Sequence, residues 1–513
     1  MEHSGNTLTV WMETAARPDF FPHLVHDTSA DVVIVGAGIA GLTTAYLLGR
    51  EGKSVVVVDS KLIASGETER TTAHLASAMD DRFIELEKMH GEHGAKLAAE
   101  SHTEAIALIE RIVREEGIDC GFERVDGYLF SPTGGARRLL EEELAAAHRA
   151  GLTGATLVER VPLRTFNTGP AVRFPNQGQF HPTRYLSALA HAIVRNGGSI
   201  HAHTHVVEVA GGDHACVRTA TGQVITAGAI VVATNSPIND RVVIHTKQAP
   251  YRTYVVGFRV RRGEVPTALY WDTDDPYHYI RLTKGTDADH DILIAGGEDH
   301  RTGQENDAEE RYQKLERWTR ERFPVEDVVY RWSGQVMEPV DGLGFIGSNP
   351  MDRDNVYIAT GDSGQGMTHG TLAGLIITDL ISGRENRWAK LYEPGRNAGV
   401  RDLAEFVKDG ANMALQYAKW LLPGDADGEE AVPRGTGAVI RRGAGRIAVY
   451  RDDEGHLHEC SAVCPHLGCV VSWNQGEKSW DCPAHGSRFD AFGKVLNGPA
   501  KADLEPIHVA AHT

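Results

Sequence analysis

Two short stretches near the end of the chain, Cys464-Pro-His466 and Cys482-Pro-Ala-His485, each bring one thiol and one imidazole within reach of a single metal atom, with fifteen residues between the pairs. Thiolates and neutral imidazoles are ligands for zinc and for iron. Zinc sites of the Cys2His2 type usually group Cys with Cys and His with His along the chain. Here each half holds one of each. Near the start, the apolar run Val32 to Val35 leads into Gly36-Ala-Gly38-Ile-Ala-Gly41, and a second apolar run, Ser54 to Val58, ends at Asp59. Gly36 permits a tight turn, Gly38 lets the backbone approach a pyrophosphate, and Gly41 lets the next helix pack on the strand. The free N–H groups at that helix N-terminus favour negative charge. Asp59, with Ser60 beside it, is placed to bind a ribose. A dinucleotide at one end and a metal at the other imply a path for electrons.

The elements that position these groups follow from composition and pattern. With 513 residues the chain has room for two to four domains, and 41% hydrophobic and 24% charged residues describe an ordinary globular protein. A formal charge of −18 argues against nucleic-acid binding, which relies on Lys and Arg against phosphate. The most apolar stretch, around residues 31 to 49, carries Asp31 and a glycine turn, so it reads as strand, turn and helix rather than a membrane span. The start shows neither a basic n-region nor an apolar h-region, and a cytoplasmic location is expected. Six cysteines, four of them between Cys460 and Cys482, then point to metal ligation or free thiols rather than a disulfide framework. Cys120 and Cys216 read as core residues.

Whether the dinucleotide is FAD or NAD turns on the rest of the chain. No second fingerprint for a nicotinamide cofactor is present. Instead, residues 228–236 read as an apolar strand ending in a small-residue turn, and residues 355–383 as strand, glycine turn and helix. Residues 30 to 385 resemble the D-amino-acid oxidase and sarcosine oxidase superfamily of flavoproteins. That resemblance implies an α/β Rossmann-like FAD-binding domain (about 30–80, 155–240 and 333–385) with an antiparallel-sheet substrate domain (about 81–154 and 241–332). It further implies that Gly361, Asp362, Gly364, Gly366, Met367 and Thr368 lie near the flavin, that Ser65, Arg70, Thr71 and Thr72 contact it, and that Val206 and Val207 belong to the adenine-binding segment. Met367 stands where relatives with covalent flavin often carry Cys, so FAD is expected to be non-covalent; His74 is the remaining candidate for attachment. The alternating pattern from Tyr251 to Gly297 suggests the antiparallel sheet that roofs the flavin in the family. Tyr254, Arg281, His300 and Trp332 are the candidate catalytic residues on it, with Tyr279 a further pocket candidate. His201, His203 and His205 alternate along a presumed strand and are read as one half-exposed face rather than a metal site.

The mixed Cys/His pairs, with the flanks HLGC, HGSRFD and GKVLNGPA, resemble the Rieske [2Fe-2S] domain, a small all-β module in which one iron takes both thiolates and the other both imidazoles. Cys464, His466, Cys482 and His485 are then the ligands. In respiratory Rieske proteins the positions of Cys469 and Ala484 are both Cys and form a disulfide; Ala484 excludes it, leaving Cys469 a free thiol. Ser487 is placed to donate to a sulfur, and Phe489 stands where high-potential relatives have Tyr. The domains expected are an N-terminal extension 1–29, the flavoprotein 30–385, a helix and linker 386–434, and the Rieske domain 435–513, the two modules having separate cores. An amphipathic helix, Asp402 to Leu422, is expected to pack on the flavoprotein body or to pair two copies into a homo-oligomer. The leading reading is an FAD-dependent oxidoreductase acting on a C–N bond of an amine or amino acid, the cluster relaying electrons to an unidentified acceptor. The alternatives are a flavin/Rieske reductase supplying a partner enzyme, and a redox sensor.

Overall fold

Val32–Val35 and Val55–Val58 are buried throughout, and such continuous apolar runs suit central parallel strands covered on both faces. In the computed structural model, which describes residues 3–15, 21–131, 137–239, 244–350, 352–396, 412 and 415–507, Thr28–Val35 pairs in parallel with Val55–Val58 and Val224–Val232. Ser199–His201 adds beyond the first, Val356–Thr360 beyond the second, and Phe345–Ser348 closes that side antiparallel. The helices Ile39–Arg50 and Gly366–Ile381 start from the glycine turns that follow two of these strands. They touch because Gly370 and Gly374 face them: a Cβ there would stand 2.5 Å from Ile39 Cγ2 and 2.6 Å from Thr43 Cγ2. Both N-termini therefore open on the same place.

A second, mainly antiparallel sheet is built around Gln248–Arg261 and His290–Arg301, with Val328–Pro339 and His278–Lys284 on their outer sides. It continues through Leu269–Asp272, Glu123–Phe130, Ala171–Gln179 and His74–Leu75. Ala171–Gln179, assigned from sequence to the nucleotide half, thus belongs to this sheet, because it pairs with Glu123–Phe130 along most of its length. The histidine alternation is also broken: the strand ends at His201, His203 has φ of 50°, and the next strand begins at Val206.

The C-terminal module is all-β, as expected, with a three-stranded sheet (Thr436–Arg442, Gly445–Arg451, Leu457–Ser461) and a four-stranded one (Ser472–Asn474, Ser479–Asp481, Arg488–Asp490, Val495–Asn497). Most of the helix expected over Asp402 to Leu422 lies outside the described residues. Its described end packs on the C-terminal module: Tyr417 Oη donates to Leu467 O (2.8 Å) and Trp420 Nε1 to Gly468 O (3.1 Å). No helix among the described residues is long and apolar enough to cross a membrane.

The modules do have separate apolar cores, but the joint between them is polar and buried. Arg70 and Glu477, fully enclosed, pair at 3.2 Å. Ser333 Oγ donates to Glu477 (2.6 Å) and accepts from Arg252 (2.8 Å), while Arg488 pairs with Asp481 at 3.1 Å. The N-terminal segment is threaded through this joint: Arg488 donates to Ser4 O (2.6 Å), Arg70 to Thr7 O (3.0 Å), and Asn6 N to Glu477 (2.8 Å). Burial alone would raise the Glu477 pKa, but Arg70, Arg252 and Arg488 outweigh it and hold the carboxyl at about 2. Glu477→Ala leaves these guanidinium groups uncompensated and should cost about 3–5 kcal/mol, read as a drop in unfolding midpoint. Because the folded pKa lies below the unfolded value of about 4.3, the contribution of Glu477 is complete above about pH 5 and is lost as pH falls toward 2. Thermal unfolding of the variant should therefore show a shallower acid decline across that window than the native protein.

Candidate cofactor cleft and metal centre

The first glycine turn needs its glycines for distinct reasons. At Gly36, φ is 109° and a Cβ would lie 2.3 Å from Ala233 O; at Gly41 it would lie 1.9 Å from Gly36 O. Gly38 caps the helix and faces a long cleft, where a Cβ would come within 3.0 Å of Thr68 Oγ1. Asp59 accepts from Ala37 N (2.7 Å) and Lys61 N (2.9 Å), tying the turn to the end of the second strand, and burial raises its pKa. Gly36, Gly38, Asp59 and Ser60 line one part of the cleft, and Ser65, Arg70, Thr71 and Thr72 line its middle. From the second glycine turn come Asp362, Gly364, Gly366, Met367 and Thr368. Gly41 and Gly361 pack behind the wall, and of Val206 and Val207, expected at the adenine, Val206 lines the cleft beside Thr204 and His205.

The antiparallel sheet and its loops present His74, Thr253, Trp271, Tyr277, Tyr279 and Asp299 to the cleft, which Asp80 also lines. Tyr277 Oη donates to Asp80 Oδ2 (3.2 Å), and the Thr253 and Tyr279 hydroxyls are 2.6 Å apart. Asp80 lies against the second glycine turn, since a Cβ at Gly364 would stand 1.9 Å from its Oδ2. Burial, reinforced by neighbouring Asp81, pushes Asp80 up to about 7, and burial raises Asp299 to about 6. His74 is held down at about 3 by burial and then by Arg281, with Nδ1 3.0 Å from Thr72 Oγ1 and Nε2 3.4 Å from Ile280 O.

The four residues singled out as catalytic from sequence stand behind this wall. Tyr254 and His300, 3.0 Å apart through Oη and Nε2, pack with Tyr312 on the opposite face of the sheet. Each is one position from a cleft residue, Thr253 and Asp299, and successive strand residues face opposite ways. Arg281 donates to Ala73 O (2.6 Å) and to Phe180 O (3.2 Å), and Trp332 Nε1 donates to Arg70 O (2.8 Å). Both brace the loop at residues 70–74. Sequence reasoning missed Asp80, Trp271, Tyr277, Thr253 and Asp299; the strand alternation itself held the signal for the last two.

In the C-terminal module, the loops carrying the two Cys/His pairs meet. The Cys464 and Cys482 thiols come within hydrogen-bond reach of one another, and the His466 and His485 rings lie 5.0 Å apart at 82°. Two sulfurs on one side and two imidazoles on the other fit a diiron cluster, whose irons differ in ligand type. The Ser487 hydroxyl reaches Cys464, and Phe489 is fully buried. Cys469 lies beside Cys482, and Ala484 is buried in the same cluster.

Residues 31–380 match the family model for FAD dependent oxidoreductases. The chain belongs to that family. Residues 425–508 match the Rieske [2Fe-2S] domain. The oxidoreductase is 32% identical over 500 residues to a putative Rieske 2Fe-2S iron-sulfur protein, YhfW, of Bacillus subtilis (strain 168), covering 97% of each chain. It is 28% identical over 396 residues to the gamma-glutamylputrescine oxidoreductase of Escherichia coli (strain K12), covering 75% of this chain and 91% of that one. In fold it resembles glycine oxidase from Geobacillus kaustophilus, with a TM-score of 0.60 at 20% identity over 73% of this chain and 100% of that one. The protein is thus an FAD-dependent oxidoreductase that carries a Rieske [2Fe-2S] domain.

The Rieske domain of this oxidoreductase forms part of the cleft wall: Val495, Leu496, Asn497, Gly498 and Ala500 line it. Lys61 Nζ donates to Leu496 O (2.8 Å), Asn497 Nδ2 to Glu67 Oε1 (2.6 Å), and His205 Nε2 lies 2.7 Å from Lys501 O. Gln335 also lines the cleft, and its Nε2 donates to Gly486 O (3.0 Å), one residue from His485. Gly38→Val should purify with iron and sulfide but little FAD, because the side chain meets Thr68 and closes the approach to the backbone. Asn497→Ala removes a charge-assisted bond worth about 1.5–3 kcal/mol and should speed FAD dissociation roughly tenfold or more, measured by the recovery of free flavin fluorescence on dilution.

Proposed function

We propose that this oxidoreductase oxidises the C–N bond of a small amine, and that electrons leave the substrate by way of the Rieske domain. The observation that carries the substrate half is the charge at the sheet-covered end of the cleft. Asp80 and Asp299 line it between the rings of Trp271, Tyr277 and Tyr279. Lys61 and Arg70 are the only Lys or Arg among the described lining residues, and both are committed, Lys61 to two backbone carbonyls and Arg70 to Glu477 and the N-terminal segment. An amino acid brings a carboxylate that needs such a cation. An ammonium group needs carboxylates and aromatic faces, which are what this end offers.

FAD would be held by the backbone at Gly36 and Gly38, by Asp59 and Ser60 at the ribose, by Ser65, Thr71 and Thr72 along the loop, and by the second turn from Asp362 to Thr368. Both His74 nitrogens already have partners, which together with Met367 supports non-covalent FAD. Bound FAD supplies a two-electron acceptor and the cluster, held by Cys464, His466, Cys482 and His485, a one-electron carrier, so one substrate oxidation becomes two single-electron deliveries. Asp80, with Tyr277 donating to it, accepts the proton that the substrate ammonium must lose before its carbon can give up hydride; a carboxyl near 7 suits that task at neutral pH. The imine product is then open to hydrolysis by water. Gln335, in contact with both the cleft and the His485 loop, supports a route within one chain.

An anaerobic titration with paired amines and their α-carboxylated counterparts, read at the flavin and Rieske bands together, tests this. Amines should bleach both bands in sequence, at a rate independent of protein concentration. Asp80→Asn should lower kcat/KM for the amine by about 10²–10⁴-fold while leaving FAD bound. Bleaching by amino acids alone would reverse the substrate assignment, and bleaching only by a reduced partner protein would reverse the direction of flow.

A further inference from the structure

On the imidazole side of the Rieske centre, half-buried His466 and buried His485 meet a side chain from outside their own domain. His245 falls in a stretch assigned from sequence to the substrate domain, but Ile244 beside it packs in the core of the FAD domain; His245 is 1% exposed, and its ring centroid lies 4.9 Å from that of His466 and 5.4 Å from that of His485. Since the latter two are 5.0 Å apart, the three rings form a nearly equilateral triangle, at mutual angles of 76°, 53° and 82°. His485 itself is only 3% exposed. Both sides of this contact are anchored. Ile244 is fully buried in the FAD-domain core, and Lys247 N bonds back to Ile244 O (2.9 Å) just before the strand Gln248–Arg261 begins. On the other side, the glycine after His485 is pinned by Gln335 and sits so close that a Cβ there would meet Pro250 at 2.7 Å.

An imidazole that gives one nitrogen to iron leaves its remaining edge to outer contacts. Those contacts set the plane of the ring, and the dryness of the surroundings sets the potential of the metal. We propose that His245 is a positioning residue of the Rieske centre, supplied by the FAD domain. It packs against both imidazole ligands, fixes their planes and excludes water from that edge. The signature of the cluster then depends on a side chain more than 200 positions away, in another domain. The inference rests on the Rieske assignment and not on the choice of substrate, so it survives any outcome of the amine titration.

The test is electron paramagnetic resonance of the dithionite-reduced protein together with a redox titration, on His245→Ala and His245→Phe, with iron, sulfide and FAD counted in each. His245→Ala opens the edge to water; it should keep both cofactors, shift and broaden the g-values, and move the midpoint potential. His245→Phe keeps a ring of similar size and should lie between Ala and the native protein. Should the Ala variant fail to assemble a cluster, the Phe variant carries the same comparison. Unchanged g-values and potential in both variants would overturn the proposal, as would loss of cluster and FAD together in both, which would make His245 a packing residue of the joint and nothing more.

Discussion

The buried charge network around Arg70, Glu477, Arg252, Asp481 and Arg488 is the constraint on which the rest depends. Removing such groups from water is costly, and their mutual attraction offsets that cost only when nearly every donor and acceptor finds a partner. The N-terminal segment supplies several of those partners, since Ser4 and Thr7 accept from Arg488 and Arg70 through backbone carbonyls. An apolar joint of the same area would tolerate sliding by a residue or a rotation of several degrees. A network of directional bonds among enclosed ions does not, and so the two modules are held in one register.

That register decides what the cofactor sites share. With the Rieske domain fixed, Val495–Asn497 becomes wall for the FAD cleft, Gln335 meets the backbone beside His485, and His245 meets both imidazoles. Fusion in one chain would by itself give only a high effective concentration; the joint replaces that average proximity with one fixed geometry.

The sequence made the modules legible because their signals are local. The glycine turns, the paired Cys/His loops and the apolar runs all act within a few residues of themselves, and the parallel strands, the helix starts and the ligand loops lie where those patterns put them. What it left hidden is of two kinds. Tyr254 and His300 were one position off Thr253 and Asp299, because alternation shows that a strand has two faces but not which face meets the cleft. Arg70 was read as a flavin contact from its loop, yet its guanidinium turns to Glu477, a partner 407 positions away that no local pattern announces. Asp80 and His245 carry no motif at all; their surroundings are made entirely by tertiary contact.

The turn taken by Arg70 links the joint to the chemistry. The loop from Ser65 to Thr72 runs along the middle of the cleft, and a guanidinium there directed inward would neutralise Asp80 and Asp362 and offer a seat to a carboxylate. Because Arg70 is instead enclosed by Glu477, Ser333 and the N-terminal segment, and Lys61 is drawn to Leu496 O, neither cation is spent on Asp80 or Asp362. Burial raises the pKa values of Asp80, Asp299 and Asp362, and at Asp80 the neighbouring Asp81 adds to it. The cations that hold the Rieske domain in place are therefore not available to the acids at the sheet-covered end of the cleft, and that is the imbalance on which the proposal of a cationic amine rests.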